Sequence, residues 1–285
     1  MRIVRTKTQL REALQPAHRE GRTVGLVPTM GSLHGGHLSL LRVARERCDV
    51  VVMSLFVNPA QFAPGEDLEA YPRDEARDAD LAADAGADLV YAPGVEEVYP
   101  EGFATSVEVG GGLTDVLEGA PDQRGPRHFH GVTTVVAKLL NSVGPDVAFF
   151  GQKDAQQAIV LRRMVRDLDF PVEVEVLPTV REPDGLALSS RNAYLSPRER
   201  RRAAALSSAL HAAEAVAGAG ESRPEAALDA ARAELERAGV EPEYLEARDA
   251  ESLAPAESLN GRPVLVAVAA RVGKARLIDN LVIGG

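Results

Sequence analysis

Short apolar runs alternate with helical segments along the first 178 residues of the chain. The short apolar run at 23–30 indicates a buried strand, and the run at 50–58 is continuously apolar, which is typical of a strand covered on both faces. Further strand-like runs lie at 87–93, 146–151 and 172–180. Segments with helical spacing lie at 36–47, 74–86, 131–144 and 154–169. Strands that alternate with helices of this length predict an α/β fold with a Rossmann-like, doubly wound parallel sheet.

The composition changes after about residue 178. Two alanine-rich helical segments lie at 196–220 and 224–239, and the remaining chain contains three strand-like runs. The last two runs are expected to form a hairpin through Val272, Gly273 and Lys274. We therefore predict two domains: a Rossmann-like domain at 1–178 and a smaller α+β domain at 179–285.

Charge and cysteine content exclude several classes of protein. The formal net charge of −10 argues against nucleic acid or an anionic membrane as a partner, since both require basic surface. The single cysteine, Cys48, excludes a disulfide within the chain and fits a reducing compartment. The amino terminus lacks the apolar segment of a signal peptide, and no run of about 18 apolar residues is present. A cytoplasmic location is expected.

The segment PTMGSLHGGHLSLL, residues 28–41, carries the strongest chemical signal. An apolar strand leads into a glycine-containing turn, and a helix follows. A helix amino terminus offers unpaired backbone N–H groups to an anion, and glycines let the backbone approach it closely. His34 and His37 add two further donors. The alternative is a metal-binding or surface pair of histidines, but helical metal pairs more often have i, i+4 spacing. The pattern favours a phosphate site.

Other polar residues follow predicted strand ends. Lys153 and Asp154 come directly after a strand and open a helix, which suits phosphate or ribose. Ser189, Ser190 and Arg191 form a compact set of donors that suits pyrophosphate. Taken alone, the first group would more often be a surface ion pair, and the second would be only weak evidence against a helix cap with a salt bridge.

The H-x-G-H element at 34–37 resembles the nucleotidylyltransferase superfamily, which includes the class I aminoacyl-tRNA synthetases. The longer string at 28–37 is more specific, and it resembles the pantothenate synthetase family. Further matching segments follow in the same order: SLFVNPAQF (54–62), YPRD (71–74), LEGA (117–120), HFHGVTTVVAKLLN (128–141), FFGQKDAQQ (149–157) and DGLALSSRNAYLS (184–196). The resemblance covers the whole chain.

The resemblance implies an ATP-dependent ligase that condenses pantoate with β-alanine. Pantoate is first activated as pantoyl adenylate, pyrophosphate leaves, and the amine of β-alanine then displaces AMP. Mg²⁺ accompanies ATP as the substrate complex. Family members are dimers, so a homodimer is expected. The domain at 1–178 would bind the nucleotide and pantoate, and the smaller domain at 179–285 would cover the active site.

The resemblance also assigns roles to individual residues. The catalytic set is His34, His37, Lys153, Ser189, Ser190 and Arg191. The ATP-binding set is Pro28, Thr29, Met30, His37, Gly151, Lys153, Asp154, Val180, Leu188, Ser189, Ser190 and Arg191. Pantoate is assigned to Met30, Gln61 and Gln157. Leu188 stands where family members often have methionine, and we expect the change to be harmless.

Two assignments stay open. The family usually reads R-P-G-H-F before the helix at 131–144, whereas this chain has a longer segment with Arg124 and Arg127, either of which could supply positive charge to pantoate. Asp78 matches by spacing the aspartate that assists magnesium, with Asp80 as the alternative. His128 and His130 are expected to be structural or surface groups.

Two other functions compete with the ligase. One is a nucleotidylyltransferase that acts on a phosphorylated acceptor. The uncharged Gln61 and Gln157 argue for a small hydroxy acid instead, because a glutamine donates and accepts hydrogen bonds without a charge. The other is a nucleotide-binding module without activity. Phosphate donors on three separate segments argue against that possibility.

Overall fold

The computed structural model describes residues 1–62, 68–69 and 71–284. The chain forms two compact units. The amino-terminal unit comprises Met1–Thr114, Glu118–Gly151 and Val160–Leu177. The carboxyl-terminal unit comprises Asp115–Leu117, Gln152–Ile159 and Pro178–Gly285. The predicted domain boundary at residue 178, and the covering role of the second domain, stay predictions.

The amino-terminal unit contains a six-stranded parallel sheet. Its strands are β1 (Arg2–Val4), β2 (Val24–Thr29), β3 (Val50–Leu55), β4 (Leu89–Tyr91), β5 (Val147–Gly151) and β6 (Glu173–Leu177). They lie in the order β1-β4-β3-β2-β5-β6, and every pair is parallel. The strand order reverses between β2 and β5, where open α/β sheets commonly bind ligands at the carboxyl ends of their strands. The predicted Rossmann-like α/β fold is confirmed.

Helices connect these strands. They are α1 (Lys7–Arg19), α2 (Gly35–Arg47), α3 (Glu75–Asp84), α4 (Val95–Val98), α5 (Pro126–Val143) and α6 (Ala155–Asp167). Helix α5 begins five residues before the predicted start at 131, because Pro126 occupies its first turn, where a missing N–H costs nothing. Among the described residues, no helix combines the length and apolar character needed to cross a bilayer.

Close packing holds the central strand in place. Gly25 on β2 pairs with Val51 of β3 and Val147 of β5. A Cβ at Gly25 would lie 2.9 Å from Sγ of Cys48, so the position requires glycine. Cys48 is only 5% exposed, and burial raises the pKa of its thiol. The cysteine is therefore a buried packing residue.

The carboxyl-terminal unit has an α+β architecture. Its elements are α7 (Pro197–Ala203), α8 (Ala205–Gly218), α9 (Pro224–Arg237), β7 (Pro242–Asp249), β8 (Val264–Val272) and β9 (Ala275–Ile283). The three strands form an antiparallel sheet in the order β7-β8-β9, and β8 and β9 are joined through Gly273 as predicted. Alternate residues along β8, from Val264 to Val272, pack with α8 and α9 in one apolar core. The predicted helix at 196–220 is two helices that meet at Ala204.

Candidate active site

The turn after β2 contains two successive residues with positive φ, Gly31 and Ser32. Thr29, the last residue of β2, donates its hydroxyl proton to the carbonyl of Ser54 over 2.7 Å. Gly31 has a φ of +90°, and a Cβ there would lie 2.8 Å from a methyl carbon of Leu55. Ser32 has a φ of 54°, in the left-handed region that few residues other than glycine adopt. The turn is therefore tightly packed, and it needs neighbouring groups to hold it.

Asp78 is one of those groups. It lies in the first turn of α3 and is 1% exposed. One carboxylate oxygen accepts the N–H of Ser32 and the other accepts the N–H of Leu33, both over 2.8 Å. Both oxygens are therefore engaged in fixing the turn, which favours a positioning role over the predicted role in metal binding.

His34 and His37 meet at the start of α2. His34 caps the helix, and its Nδ1 accepts the N–H of Gly36 over 3.2 Å. Nδ1 of His37 accepts the N–H of His34 over 3.3 Å, and the two ring centroids are 4.1 Å apart. Because Nδ1 is the acceptor in each ring, the neutral form of both imidazoles carries its proton on Nε2. Each ring thus presents an Nε2–H donor beside a helix amino terminus, which suits a phosphoryl oxygen.

Gln61 lies against Met30, the other residue of the amino-terminal unit that was predicted to bind pantoate. Gln61 is 8% exposed, and its Nε2 is 3.2 Å from Sδ of Met30. Its Oε1 accepts a hydrogen bond from Nδ2 of Asn58 over 3.1 Å. The carboxamide orientation is therefore set by a residue that the sequence analysis did not select. The Asn-Pro dipeptide at 58–59 was the available signal.

Asn58 is itself buried, and both ends of its carboxamide form hydrogen bonds. It is 1% exposed, donates to the carbonyl of Gly131 over 3.0 Å, and accepts the hydroxyl proton of Tyr99 over 2.7 Å. Burial raises the pKa of Tyr99 to about 12, so its phenol stays protonated as a donor. Gly131 is required at this contact, because a Cβ would lie 2.5 Å from the backbone of Ala60. This network fixes Gln61 as a rigid group.

His128 links Gln61 to one of the two candidate arginines. Nδ1 of His128 is 2.8 Å from the carbonyl of Gln61, and Nε2 is 3.1 Å from Nη1 of Arg124. A guanidinium only donates, so Nε2 accepts and Nδ1 carries the proton. His128 is buried and contacts a residue through each ring nitrogen, which favours a structural group. Arg127 is exposed, so the contacts favour Arg124 as the arginine associated with Gln61.

Other predicted residues lie in the carboxyl-terminal unit. Lys153 and Asp154 belong to a short 3₁₀ turn, Gln152–Asp154, which follows β5 directly. Nζ of Lys153 is 3.8 Å from Oδ2 of Asp154, and the Lys153 side chain is 21% exposed. Gln157 lies half-buried in the first turn of α6. The preceding residue, Gln156, is 5% exposed and donates to the carbonyl of Val116 over 2.7 Å.

Some polar groups of the Ser189–Arg191 segment form hydrogen bonds within the segment itself. Oγ of Ser189 accepts the N–H of Arg191 over 3.2 Å and caps the 3₁₀ helix Ser190–Tyr194. The N–H of Leu188 donates to the carbonyl of Val180 over 2.9 Å, which brings these two predicted ATP contacts together. All three residues from 189 to 191 are half-buried. Ser189 caps this short helix, and its contact with the nucleotide stays a prediction.

The predicted residues thus form two sets, one in each unit. Within the amino-terminal unit, Met30 contacts Gln61, and His34 contacts His37, while Pro28 and Thr29 end β2 and Gly151 ends β5. Within the carboxyl-terminal unit, Lys153 pairs with Asp154 and Ser189 with Arg191.

Known proteins match this chain over nearly its whole length. The family model described as pantoate-beta-alanine ligase matches residues 2–282. A pantothenate synthetase of Moorella thermoacetica is 53% identical over 284 residues, which is 99% of each chain. One of Myxococcus xanthus is 50% identical over 285 residues, covering 99% of this chain and 96% of the relative.

Solved structures agree with these matches. The pantothenate synthetase of Thermus thermophilus superposes with a TM-score of 0.92 at 53% identity and covers 99% of both chains. A pantoate–β-alanine ligase of Francisella tularensis, solved with beta-gamma ATP and β-alanine, gives a TM-score of 0.80 at 31% identity over 99% of this chain and 97% of its own. The chain therefore belongs to the pantoate–β-alanine ligase family.

Proposed function

We propose that the chain makes pantothenate from pantoate, β-alanine and ATP, and releases AMP and pyrophosphate. Family membership over residues 2–282 supports this reaction. The observation that carries it furthest is the fixed carboxamide of Gln61 beside Met30. An uncharged, oriented donor suits a small hydroxy acid, whereas a phosphorylated acceptor calls for cationic groups.

The chemistry has two steps. The carboxylate of pantoate attacks the α-phosphorus of MgATP, a P–O bond forms, and pyrophosphate departs. The amine of β-alanine, in its neutral form, then attacks the acyl carbon of pantoyl adenylate. AMP leaves, and the nitrogen loses a proton as the amide forms. No protein nucleophile is needed, so the protein contributes positioning and stabilisation of charge.

The amino-terminal set is proposed to serve pantoate and the α-phosphate. The Nε2–H groups of His34 and His37 are donors for charge that develops on the phosphoryl oxygens in the transition state. Gln61 donates through Nε2 to a pantoate oxygen, with Met30 packing against the apolar part of pantoate. Arg124 is proposed as the nearby positive charge.

The carboxyl-terminal set is proposed to serve the nucleotide, with one exception. Lys153 stabilises phosphate charge and Asp154 accepts from the ribose. Ser190 and Arg191 hold the pyrophosphate leaving group, aided by Ser189. Val180 and Leu188 provide backbone and apolar contacts for the adenosine, as does Gly151 of the amino-terminal set. The exception is Gln157, which is proposed to hydrogen-bond pantoate.

Magnesium is proposed to arrive as part of MgATP. Both carboxylate oxygens of Asp78 already accept backbone hydrogen bonds, and within the described residues no group of three or more metal-ligating side chains is found. Mg²⁺ commonly takes one or two carboxylates with phosphates and water. The phosphates of ATP would therefore be its main ligands. A homodimer and a cytoplasmic location are carried over as proposals from the family resemblance.

The decisive experiment is exchange of labelled pyrophosphate into ATP with pantoate and Mg²⁺ but without β-alanine. The proposal expects exchange that depends on pantoate, and then AMP, pyrophosphate and pantothenate in equal amounts once β-alanine is added. Formation of ADP, or exchange supported equally by pantetheine phosphate or nicotinamide mononucleotide, would refute it. Absence of turnover with any acid would support a binding module.

A further inference from the structure

Two segments of the carboxyl-terminal unit are attached to adjacent residues of one strand. The first is the 152–154 turn, which carries Lys153 and Asp154. The second is the 180–188 hairpin, which runs directly into Ser189. Both are held by β9, the first at Asn280 and the second at Asp279. Neither residue was selected by the sequence analysis.

Asn280 holds the backbone of the 152–154 turn. Its Nδ2 donates to the carbonyls of Gln152 and Lys153 over 3.0 and 2.9 Å. Its Oδ1 accepts from Nε2 of Gln152 over 2.9 Å. Asn280 is 5% exposed, so every polar atom of a buried carboxamide is used on this one turn. The arrangement needs two donors and one acceptor, which asparagine supplies and aspartate does not.

Asp279 holds the 180–188 hairpin through Arg181. The two form a bidentate ion pair with distances of 2.6 and 3.0 Å, and the Asp279 side chain is 2% exposed. Nη1 of Arg181 also donates to the carbonyl of Gly185 over 3.1 Å. A fork of this kind fixes direction as well as distance.

Backbone hydrogen bonds within the hairpin connect Arg181 to the residues that follow the hairpin. The N–H of Glu182 donates to the carbonyl of Leu186 over 2.8 Å, and the N–H of Leu188 donates to Val180 over 2.9 Å. Arg181 therefore lies within a hydrogen-bonded ladder that ends one residue before Ser189. Any movement of Arg181 would be carried to Leu188 and Ser189.

Adjacent residues of a strand point to opposite faces of the sheet. Asp279 lies on the same face as Leu277 and Ile283, which belong to the core with α8 and α9. Asn280 lies on the other face. The two segments are therefore attached to the same point of β9 from either side, so the backbone of one strand sets the position of both.

We propose that Asn280 and Asp279 are positioning residues for the nucleotide: Asn280 acts through Lys153, and Asp279 acts through Arg181 on the Ser189–Arg191 segment. The inference rests on the proposed function, because it takes Lys153 and the 189–191 segment as phosphate contacts. Neither residue touches the substrate, and both act by fixing backbone.

The test of the Asn280 part is a double-mutant cycle with Asn280→Asp and Lys153→Ala. Asn280→Asp keeps the size but turns an oxygen toward two carbonyl oxygens. We expect pantoate-dependent exchange to fall about 10- to 100-fold, the range for a misplaced donor at developing charge. The double variant should match Lys153→Ala within about threefold, because residues that act through one another are not additive.

Gln152→Ala and Asp279→Asn extend the test. Gln152→Ala removes only the side chain that donates to Oδ1 of Asn280, so it keeps the proposal testable if Asn280→Asp fails to fold. We expect Gln152→Ala to slow exchange by roughly three- to tenfold. On the Lys153→Ala background, the same substitution should cause no further loss. Asp279→Asn keeps the shape of the Arg181 pair but removes its charge, and it should be coupled to Arg191→Ala in the same way. Asn260→Asp, on an exposed residue, is the matched control and should change nothing.

The outcomes separate the inference from the proposed function. Normal exchange in Asn280→Asp with slow exchange in Lys153→Ala would overturn the Asn280 role, and so would losses that multiply in the double variant. Normal exchange in Lys153→Ala would overturn the roles of both Lys153 and Asn280. If the unaltered protein shows no exchange, the proposed reaction fails, but calorimetric titration with ATP still decides the inference. Undiminished ATP affinity in Asn280→Asp would then refute it.

Discussion

Nδ2 of Asn58 donates a hydrogen bond to Oε1 of Gln61 over 3.1 Å. This contact fixes which end of the Gln61 carboxamide accepts and which end donates. Nε2 is directed to Sδ of Met30, a weak acceptor that a substrate oxygen can outcompete. The chain therefore presents a donor, not an acceptor, at the position assigned to pantoate.

Gln61→Ala and Gln157→Ala should chiefly damage the use of pantoate and leave ATP binding almost intact. Neither glutamine carries charge, so neither contributes much to binding a triphosphate. Each loss leaves polar substrate groups without partners, at about 1–3 kcal/mol, or roughly five- to hundred-fold in affinity or adenylation rate. Calorimetric titration with ATP and then with pantoate separates the ligands. A large loss of ATP affinity with normal pantoate binding would overturn the pocket assignment.

His37→Ala and Lys153→Ala should each slow adenylate formation by about 10²–10³-fold, the range for one preorganised donor. Both side chains are partly exposed, so we expect the variants to fold. The measurement is single-turnover formation of pantoyl adenylate, with circular dichroism as the folding control. Nearly full activity in either variant would show that its role is misassigned.

Asp78→Asn should lower both stability and rate without changing the dependence on Mg²⁺. The substitution turns an N–H₂ group toward one of two backbone N–H donors, at a cost of about 1–3 kcal/mol. Thermal unfolding and the rate against Mg²⁺ concentration are the measurements. Asp84→Asn is the matched control, since Asp84 is exposed, lies in the same helix and has no assigned role. A rise in the Mg²⁺ requirement specific to Asp78→Asn would restore its metal role.

Tyr99 should make stability sensitive to alkali. Its pKa is raised from 10.0 to about 12, mainly by burial, so the folded state resists its ionisation. The stabilising contribution is complete below about pH 10 and is lost as the pH rises from 10 to 12. Tyr99→Phe should reduce this loss, and ultraviolet titration should show one fewer late-ionising tyrosine. The chain has no tryptophan, which simplifies the spectrum. Unchanged late ionisation in Tyr99→Phe would contradict the assignment.

The strands and helices of the sheet were predictable because their apolar periodicity is strong. The predicted strand at 23–30 is Val24–Thr29, and the predicted helix at 36–47 is Gly35–Arg47. The sequence pattern did not predict β1 or α1. Strand β1 has only three residues, and α1 contains Pro16, which opposes a helical interpretation even though the flanking residues fold as a helix.

The candidate site was predictable where a motif carries the chemistry and not where tertiary contacts do. The 28–41 segment identified His34 and His37 from local sequence. Asn58 and Asp78 act on residues 3 and 45–46 positions away, and Asn280 acts on a turn 127–128 residues away. Spacing along the sequence gives no sign of such contacts, so it predicts a metal role for Asp78 and no role for Asn280.

The pairing of β2 with β5 has a consequence for synthesis of the chain. Gly25 and Val147 are partners, so β2 has an unpaired edge until more than 120 further residues have left the ribosome. An unpaired apolar edge is a template for pairing with other chains. Slow translation before residues 147–151 have left the ribosome should therefore favour aggregation of nascent chains, whereas a pause once residue 177 has left it finds all six strands already available.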